Sequence, residues 1–372
     1  MSNILNSLMV KRGGAPPTPA EGWNPPADWL WTTRAAATPA NGATILMPLF
    51  EKSLNLFAFT AWFSGTATVN FNDGAGEHAV ISGTRFDYAV DYAAITTDVS
   101  GRGYKLTPVV LTCSEEFTRL SFNDKHPQQL LFVAQAMKAI KVNTTTAGKF
   151  TFLSTNDNAQ WVEILDFGAK NIAAPYLMYN QRGLNRLVCD ISGSGDMYNM
   201  FTNANISNID VTAYDYSGFA NLDGIFTGAF GGDGVVFNKS IAACTSMASM
   251  FCQNSCFGEA NLTDTRLVTN ISYALNNSSI RVFTMDDCSS VMKTAEFIVN
   301  YGQLQQLEWL ELHGLTVGID LSNLPMDATA LNNFFTSLGT ANGSQTIIIT
   351  GCLGVEGCDT GIATDKKYTV TA

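Results

Sequence analysis

From about residue 160 a short apolar phrase returns at a nearly fixed interval. Met197-Tyr-Asn-Met200-Phe201 recurs as Leu222-Asp-Gly-Ile225-Phe226, as Met247-Ala-Ser-Met250-Phe251 and as Ile271-Ser-Tyr-Ala274-Leu275. A fainter copy reads Ala295-Glu-Phe-Ile298-Val299, and another precedes the series at Ile172 to Tyr176. The steps are 25, 25, 24 and 24 residues. Between the copies lie β-like runs: "VEILDF" at 162, "RLVCDI" at 186, "SNIDVT" at 207, "VVFN" at 235, "IRVFTM" at 280 and "LEWLELHGL" at 307. One strand and one helical or turn segment per 24 to 25 residues is the length of a leucine-rich repeat. Such a unit cannot bury its apolar face alone, so the period predicts a stacked solenoid with a continuous core.

This register changes the meaning of the sulfur-rich stretch "TSMASMFCQ", Thr245 to Gln253. Alone it suggests a soft-metal site. In register, the positions of Met247 and Phe251 are filled elsewhere by Leu222, Ile271 and Leu275, which coordinate nothing. Packing is the shared demand, and burial of one Met or Phe is worth roughly 1.5–3 kcal/mol. The expected repeat core is Met197, Met200, Phe201, Leu222, Ile225, Phe226, Met247, Met250, Phe251, Ile271 and Leu275.

Upstream, three regions differ in texture. Residues 1–43 read as an extended arm, because "RGGAPPTPAEGWNPPADWLW" holds five prolines between Pro16 and Pro26 and favours polyproline or irregular backbone. Trp23, Trp29 and Trp31 on this arm are large, stiff anchors that bury against their own domain or against a neighbouring subunit. Residues 44–125 carry short β-rich runs separated by Gly, Asn, Asp and Ser, which predicts a small sandwich. Asn72-Asp73-Gly74 within "NFNDGAGE" is a hairpin signal; the oxygen spacing of an EF-hand, with its closing Glu, is missing. Residues 126–159 are expected as a linking or capping helix and hairpin, the helix because Leu130, Val133, Met137 and Ile140 fall at helical spacing after Pro127. The solenoid with its C-terminal cap takes 160–372.

Only 14 % of the 372 residues are charged, against about a quarter in ordinary globular chains, so the surface is largely Asn, Thr, Ser, Gln and Gly. The net charge is −11 and no Lys/Arg cluster exceeds a pair, which disfavours a nucleic-acid groove. No apolar run approaches the length of a membrane span. The N-terminus places its apolar run before its basic pair, the reverse of a secretion signal, so cytoplasmic synthesis is expected. The 8 cysteines are then expected reduced, and the Asn-x-Ser/Thr triplets are read as turn composition.

Constellations that carry chemistry are thin. His78, His126 and His313 fall in three different expected regions, which disfavours a triad or a histidine-rich metal site. Cys252 and Cys256, with Cys244 and Cys288 nearby, lack paired Cys-x2-Cys spacing and are expected as buried thiols. Cys352 and Cys358 flank a Gly-rich turn; a local disulfide is open to them, with the reduced pair as the default. "GAFGGDG", Gly228 to Gly234, occurs once, whereas calcium-binding glycine repeats supply ligands from tandem turns. Glu115-Glu116 and Glu308/Glu311 are carboxylate pairs on strand ends or faces, and glycosidase chemistry needs two carboxylates across a cleft. No catalytic residue, cofactor or metal is expected.

The phrasing "SMxxMF", as in Ser246-Met247-Ala-Ser-Met250-Phe251 and the looser Asp196-Met197-Tyr-Asn-Met200-Phe201, resembles BspA-like leucine-rich repeats of bacterial surface proteins and of phage and prophage proteins. Ala330 to Val370 is similar to the closing unit of such arrays, with its Leu-Asn-x-Phe-Phe helix, strand, Gly-rich turn and Ala-x-x-Lys-x-Tyr-x-Val end. "PPADWLW", "VNFNDGAGE" and "DYAVDYA" resemble a degenerate module of phage virion proteins, in which Pro-Ala-Asp-Trp-Leu precedes a PKD-like β domain bearing Trp-Gly-Asp-Gly. Here that motif reads Phe71-Asn72-Asp73-Gly74.

The expected fold class is therefore mixed α/β and β, a β-sandwich-like domain followed by a leucine-rich-repeat solenoid. The resemblance implies a non-enzymatic phage structural protein of tail, collar or fibre, located in the virion and homo-oligomeric. Its implied partners are other virion proteins and a host-surface glycan or protein. The alternatives are a bacterial surface adhesin, which would need export, and a tail-associated polysaccharide depolymerase, which would need paired carboxylates in a groove.

Overall fold

The computed structural model describes residues 37–51, 54–96, 98–99, 104–122, 137–153, 162–172, 179–232, 234–298 and 306–372. Trp23, Trp29, Trp31 and His126 lie outside them. The N-terminal region forms β1 (Gly42–Leu49), β2 (Leu56–Phe63), β3 (Ala67–Asn70), β4 (Glu77–Val80), β5 (Arg85–Ala89), β6 (Asp98–Val99), β7 (Tyr104–Cys113) and β8 (Phe117–Ser121). It continues into β9 (Ala139–Asn143), β10 (Thr151–Leu153), β11 (Ile164–Asn171) and β12 (Arg186–Asp190). One sheet has the order β12-β11-β9-β1-β7-β3-β4 with β6 beside β7; the other is β10-β8-β2-β5.

The two sheets share one core, into which alternate residues point. Ala43, Ile45, Met47 and Leu49 of β1 join Val109 and Leu111 of β7 and Phe57, Phe59 and Ala61 of β2. Phe57 meets Phe71 edge-on at 5.7 Å across the sheets. β1 is buried along its whole length, because Leu46 on its other face packs with Leu106, Ala139 and Ile164. The Asn72-Asp73-Gly74 segment does lie in a hairpin, between Asn70 and its partner Glu77. Asn72 and Gly74 take positive φ there. Asp73 is buried and accepts a 2.8 Å hydrogen bond from the Tyr88 hydroxyl. Burial, then that bond, pushes the Tyr88 phenol up to about 12.

The passage from sandwich to solenoid is made within one sheet. β9 is antiparallel to β1 on one side and parallel to β11 on the other. Lys138 pairs with Glu163 at 2.7 Å and Lys141 with Asp166 at 2.9 Å, one repeat further on. The repeat thus starts at β9, one period before residue 160. Ile140, expected in a helix, sits in this strand; its neighbours through 136 lie outside the described residues. Tertiary pairing with β1 outweighs the helical spacing of the apolar residues.

The solenoid continues through β13 (Gly195–Asp196), β14 (Phe219–Asn221), β15 (Val235–Ser240), β16 (Phe257–Thr263), β17 (Val282–Met285) and β18 (Trp309–Leu312). It closes with β19 (Ile319–Asp320), α1 (Ala328–Ser337), β20 (Gln345–Ile348), α2 (Gly361–Asp365) and β21 (Tyr368–Thr371). It is a β-rich solenoid of about nine turns with few helices. β15-β16-β17-β18 and β19-β20-β21 are parallel sheets. At 207–212 the expected strand is absent, and a 3-10 turn at Val211–Ala213 takes its place, capped by Asp210. β5 and β16 were not expected from the sequence. No described helix is long and apolar enough to cross a membrane.

The Met-x-x-Met-Phe phrases are stacked turns, not helices. Met247, Ser249, Phe251 and Gln253 donate backbone N–H groups to Asn270, Ser272, Ala274 and Asn276 of the next repeat at 2.8–3.0 Å. Leu222, Gly224, Phe226 and Gly228 do the same to Ser246, Ala248, Met250 and Cys252. Ile271, Tyr273 and Leu275 donate to Lys293, Ala295 and Phe297, so the following copy is Thr294, Phe297 and Ile298. The copy expected at Ala295 is therefore shifted by one residue. Two positions per turn carry positive φ: Asn199 and Asn203, Gly224 and Gly228, Ser249 and Gln253, Tyr273 and Asn277. All eleven expected repeat-core residues are 3 % exposed or less. Phe201, Phe226 and Phe251 stack in file at 5.5 and 5.8 Å.

Candidate binding face of the solenoid

Strands β15 to β18 alternate between two faces, as extended chains must. Phe237, Ala260, Phe283 and Leu310 point inward and are fully buried, as are Met285 and Leu312 one row on. The residues between them point outward, and parallel registry lines them up. One outward row is Val236, Glu259, Val282 and Trp309; the next is Asn238, Asn261, Thr284 and Glu311. At about 4.8 Å per strand, each row spans roughly 14 Å.

The second row is hydrogen-bonded across its first three members. Thr284 Oγ1 donates to Asn261 Oδ1 at 2.8 Å, and Asn261 Nδ2 donates to Asn238 Oδ1 at 2.7 Å. Asn261 Nδ2 also reaches Glu259 Oε1 at 2.5 Å. At the far end Trp309 Nε1 donates to Glu311 Oε1 at 3.1 Å, and the other Glu311 oxygen lies 2.9 Å from His313 Nε2. Side chains bridged in this way lose rotamer freedom before any ligand arrives, which lowers the entropic cost of binding.

Beyond Trp309 the surface drops into an open groove of about 650 Å³ lined by Val282, Glu308, Trp309, Asp327, Thr329 and Ala330. β18 supplies one wall and the first turn of α1 the other. Asp327 is the α1 N-cap and accepts from the Ala330 N–H at 2.8 Å, which fixes that wall. Trp309 is half-buried and Glu308, Asp327 and Thr329 are exposed. The arrangement offers an aromatic ring, two carboxylates and a hydroxyl around a cleft that a small polar ligand can enter.

Of the sequence-selected groups, Glu308 lines the groove and Glu311 sits on the second outward row, tied to Trp309 and His313. The others stand apart from this face: Glu115 and Glu116 sit in the turn between β7 and β8. Cys244, Cys256 and Cys288 are buried, and burial raises all three thiols. Cys352 Sγ contacts the Leu321 carbonyl at 3.0 Å and Cys358 Sγ that of Val355 at 3.5 Å. His78 lies among Phe71, Phe86 and Tyr88 in the sandwich. Among the described residues no three His, Cys, Asp or Glu side chains group to hold a metal ion.

Sequence reading passed over Trp309, Asn238, Asn261 and Thr284. The signal was available: Asn238, Asn261 and Thr284 fall 23 residues apart, on the strand phase rather than the Met-Phe phase. The unrecognised strand β16 hid it. No family model, curated protein or solved structure matches this chain.

Proposed function

We propose that this chain is a non-enzymatic structural protein of a bacteriophage particle, of its tail, collar or fibre. In this reading its solenoid is of the BspA-like leucine-rich-repeat kind and its N-terminal region, Trp23, Trp29 and Trp31 included, is the anchor. The repeats display a binding face toward a host-surface glycan or protein, or toward a neighbouring virion subunit.

The observation that carries the reading is the outward row Asn238–Asn261–Thr284–Glu311, held in register over four parallel strands, with Trp309 of the adjoining row hydrogen-bonded to Glu311. A solenoid makes a long, preorganised surface from small repeated contributions. This one contributes amides, a hydroxyl, two carboxylates and one aromatic ring, groups that recognise a partner by hydrogen bonds and stacking. One core runs without interruption from Ala43 to Tyr368, so a force or a position fixed at the sandwich is transmitted to the binding face. The repeat length and the closing helix–strand–turn–helix–strand unit support the leucine-rich-repeat assignment.

Immunogold labelling of purified virions with antibody to residues 200–300 tests it, the expected result being label at one defined location on each particle. Unlabelled virions would sink the proposal. A second reading, a tail-associated polysaccharide depolymerase, draws on Glu308 and Asp327, which line one groove beside Trp309. Incubation with host capsular polysaccharide separates the two: new reducing ends that vanish in Glu308→Gln and Asp327→Asn would establish the enzyme.

A further inference from the structure

We infer that the groove between β18 and the first turn of α1 is a saccharide subsite that takes an uncharged sugar ring stacked on Trp309. The inference deepens the proposed binding role of the solenoid and rests on it only for its biological setting, since the groove is tested on the isolated protein.

Three observations converge. The first is the platform. Trp309 lies half-buried on the outward row with its Nε1 donating to Glu311 Oε1 at 3.1 Å, which restrains the indole. Trp309 lines the groove together with the apolar residues Val282 and Ala330. A pyranose presents a patch of C–H bonds on one face and hydroxyls around its rim, which matches an aromatic and aliphatic floor with polar walls.

The second is the kind of polar group on the walls. Glu308 and Asp327 accept hydrogen bonds, and the Thr329 hydroxyl both donates and accepts. Paired acceptors beside a flat ring suit adjacent sugar hydroxyls. Asp327 is already committed at one oxygen to the Ala330 N–H, so it is fixed in direction as a hydrogen-bonding group rather than free as a floating charge.

The third is charge. Among the described residues no Lys, Arg or His lines the groove, and the chain carries a net −11. Uronates, sialates and phosphorylated glycans would face two carboxylates with no counter-ion and pay the repulsion. A basic peptide is the competing occupant, since its cations are drawn both to these carboxylates and to the indole face. It would bind with steep salt dependence, whereas an uncharged sugar would not, and the test separates the two on that ground.

The test uses the full chain on a printed array of neutral, uronic-acid and sialylated oligosaccharides, followed by tryptophan fluorescence titration of the retained glycans. Retention of neutral oligosaccharides is expected, with affinity unchanged within twofold between 50 and 500 mM salt, both conditions set by the assay on the scale where screening matters. Trp309→Ala should weaken binding at least tenfold and Trp309→Phe only a few-fold. Thr329→Arg, on the exposed rim of the groove and away from the core, should block it while leaving the thermal transition in place. Retention of acidic glycans alone, no retained glycan, unaltered binding by both Trp309→Ala and Thr329→Arg, or displacement of the sugar by octalysine with steep salt dependence would each overturn the inference. Glycan binding abolished by these variants in a protein absent from virions would leave the subsite standing and remove the phage setting, so the two failures are distinguishable.

Discussion

The sandwich and the turn ladder of the solenoid both stack phenylalanines, but they hold them by different means. In the sandwich, Phe57 meets Phe59, Phe71 and Phe122 at 5.7–6.0 Å, and those residues come from several strands brought together by antiparallel pairing. In the ladder, Phe201, Phe226 and Phe251 form a file nearly parallel in plane, each one repeat from the next. The sandwich core depends on contacts distant in sequence, whereas each ladder position depends on its two neighbours. A nearest-neighbour array loses stability repeat by repeat, and a sandwich loses it as a unit.

The largest expected effect breaks this comparison open. Phe251→Ala and Phe57→Ala should each cost about 3–5 kcal/mol, since both rings are fully buried. Their consequences should differ in extent. Hydrogen exchange on the Phe251 variant should show lost protection confined to the repeats around 226–283, while the Phe57 variant loses protection through β1, β2, β3 and β7 together. Uniform loss across the whole chain in both variants would show that the continuous core makes one cooperative unit.

The same contrast explains how much could be read from the sequence. The Met-x-x-Met-Phe phrases are legible because a stacked turn buries the same places in nearly every repeat, and Met, Leu, Ile, Ala or Phe fills them. The strand phase was less so, since an outward position accepts Val236, Glu259, Val282 or Trp309 alike, and only the inward residue must be apolar. Registry therefore had to be seen in the structure before Trp309 and the Asn238–Asn261–Thr284 row joined into a face. The copy near 295 was misplaced by one residue because Ala295-Glu-Phe-Ile298 satisfies the apolar spacing nearly as well as Thr294-Ala-Glu-Phe297-Ile298 does. Backbone hydrogen bonds from Ile271, Tyr273 and Leu275 decide between them. The β9 strand was hidden for the opposite reason: its apolar spacing fits a helix, and only the partner strand β1 selects extended backbone.

A smaller effect sharpens the comparison at the glycines. Gly224 in the ladder has φ +64°, and a Cβ there would lie 2.2 Å from Asn199 Oδ1 of the preceding repeat. Gly74 in the sandwich hairpin has φ +84° with nothing within 4 Å of the added atom. Gly224→Ala should combine backbone strain with a clash and cost about 1–3 kcal/mol, and Gly74→Ala should fall at the lower end of that range through strain alone. Paired denaturant melts measure the difference. Equal costs would mean that Asn199 swings aside and that the ladder is looser than its hydrogen bonds imply.

The smallest effect concerns acid. Among the described residues the carboxyls held below the ordinary aspartate value of 3.8 all lie in the solenoid: Asp215, Asp286 and Asp287. Asp215 accepts from the Ser217 hydroxyl at 2.7 Å and its N–H at 2.9 Å, and Asp287 from the Ser289 hydroxyl at 2.5 Å and its N–H at 2.9 Å. Burial works to raise Asp286, but hydrogen bonds from the Thr265 and Asp264 N–H groups and the Thr265 hydroxyl outweigh it. A carboxyl lowered by folding binds fewer protons in the native state than in the unfolded one. Its contribution to stability is therefore present above about pH 4 and is lost as pH falls through the depressed native value. As pH falls from about 4 through the depressed native values, exchange protection should fall in the 264–289 repeats before it falls in the sandwich, and Asp286→Asn with Asp287→Asn should flatten that dependence at some cost in stability at neutral pH. If both regions instead lose protection together at the same pH, the acid response belongs to the shared core, and the solenoid's carboxyls are passive turn formers whose protonation the stacked phenylalanines tolerate.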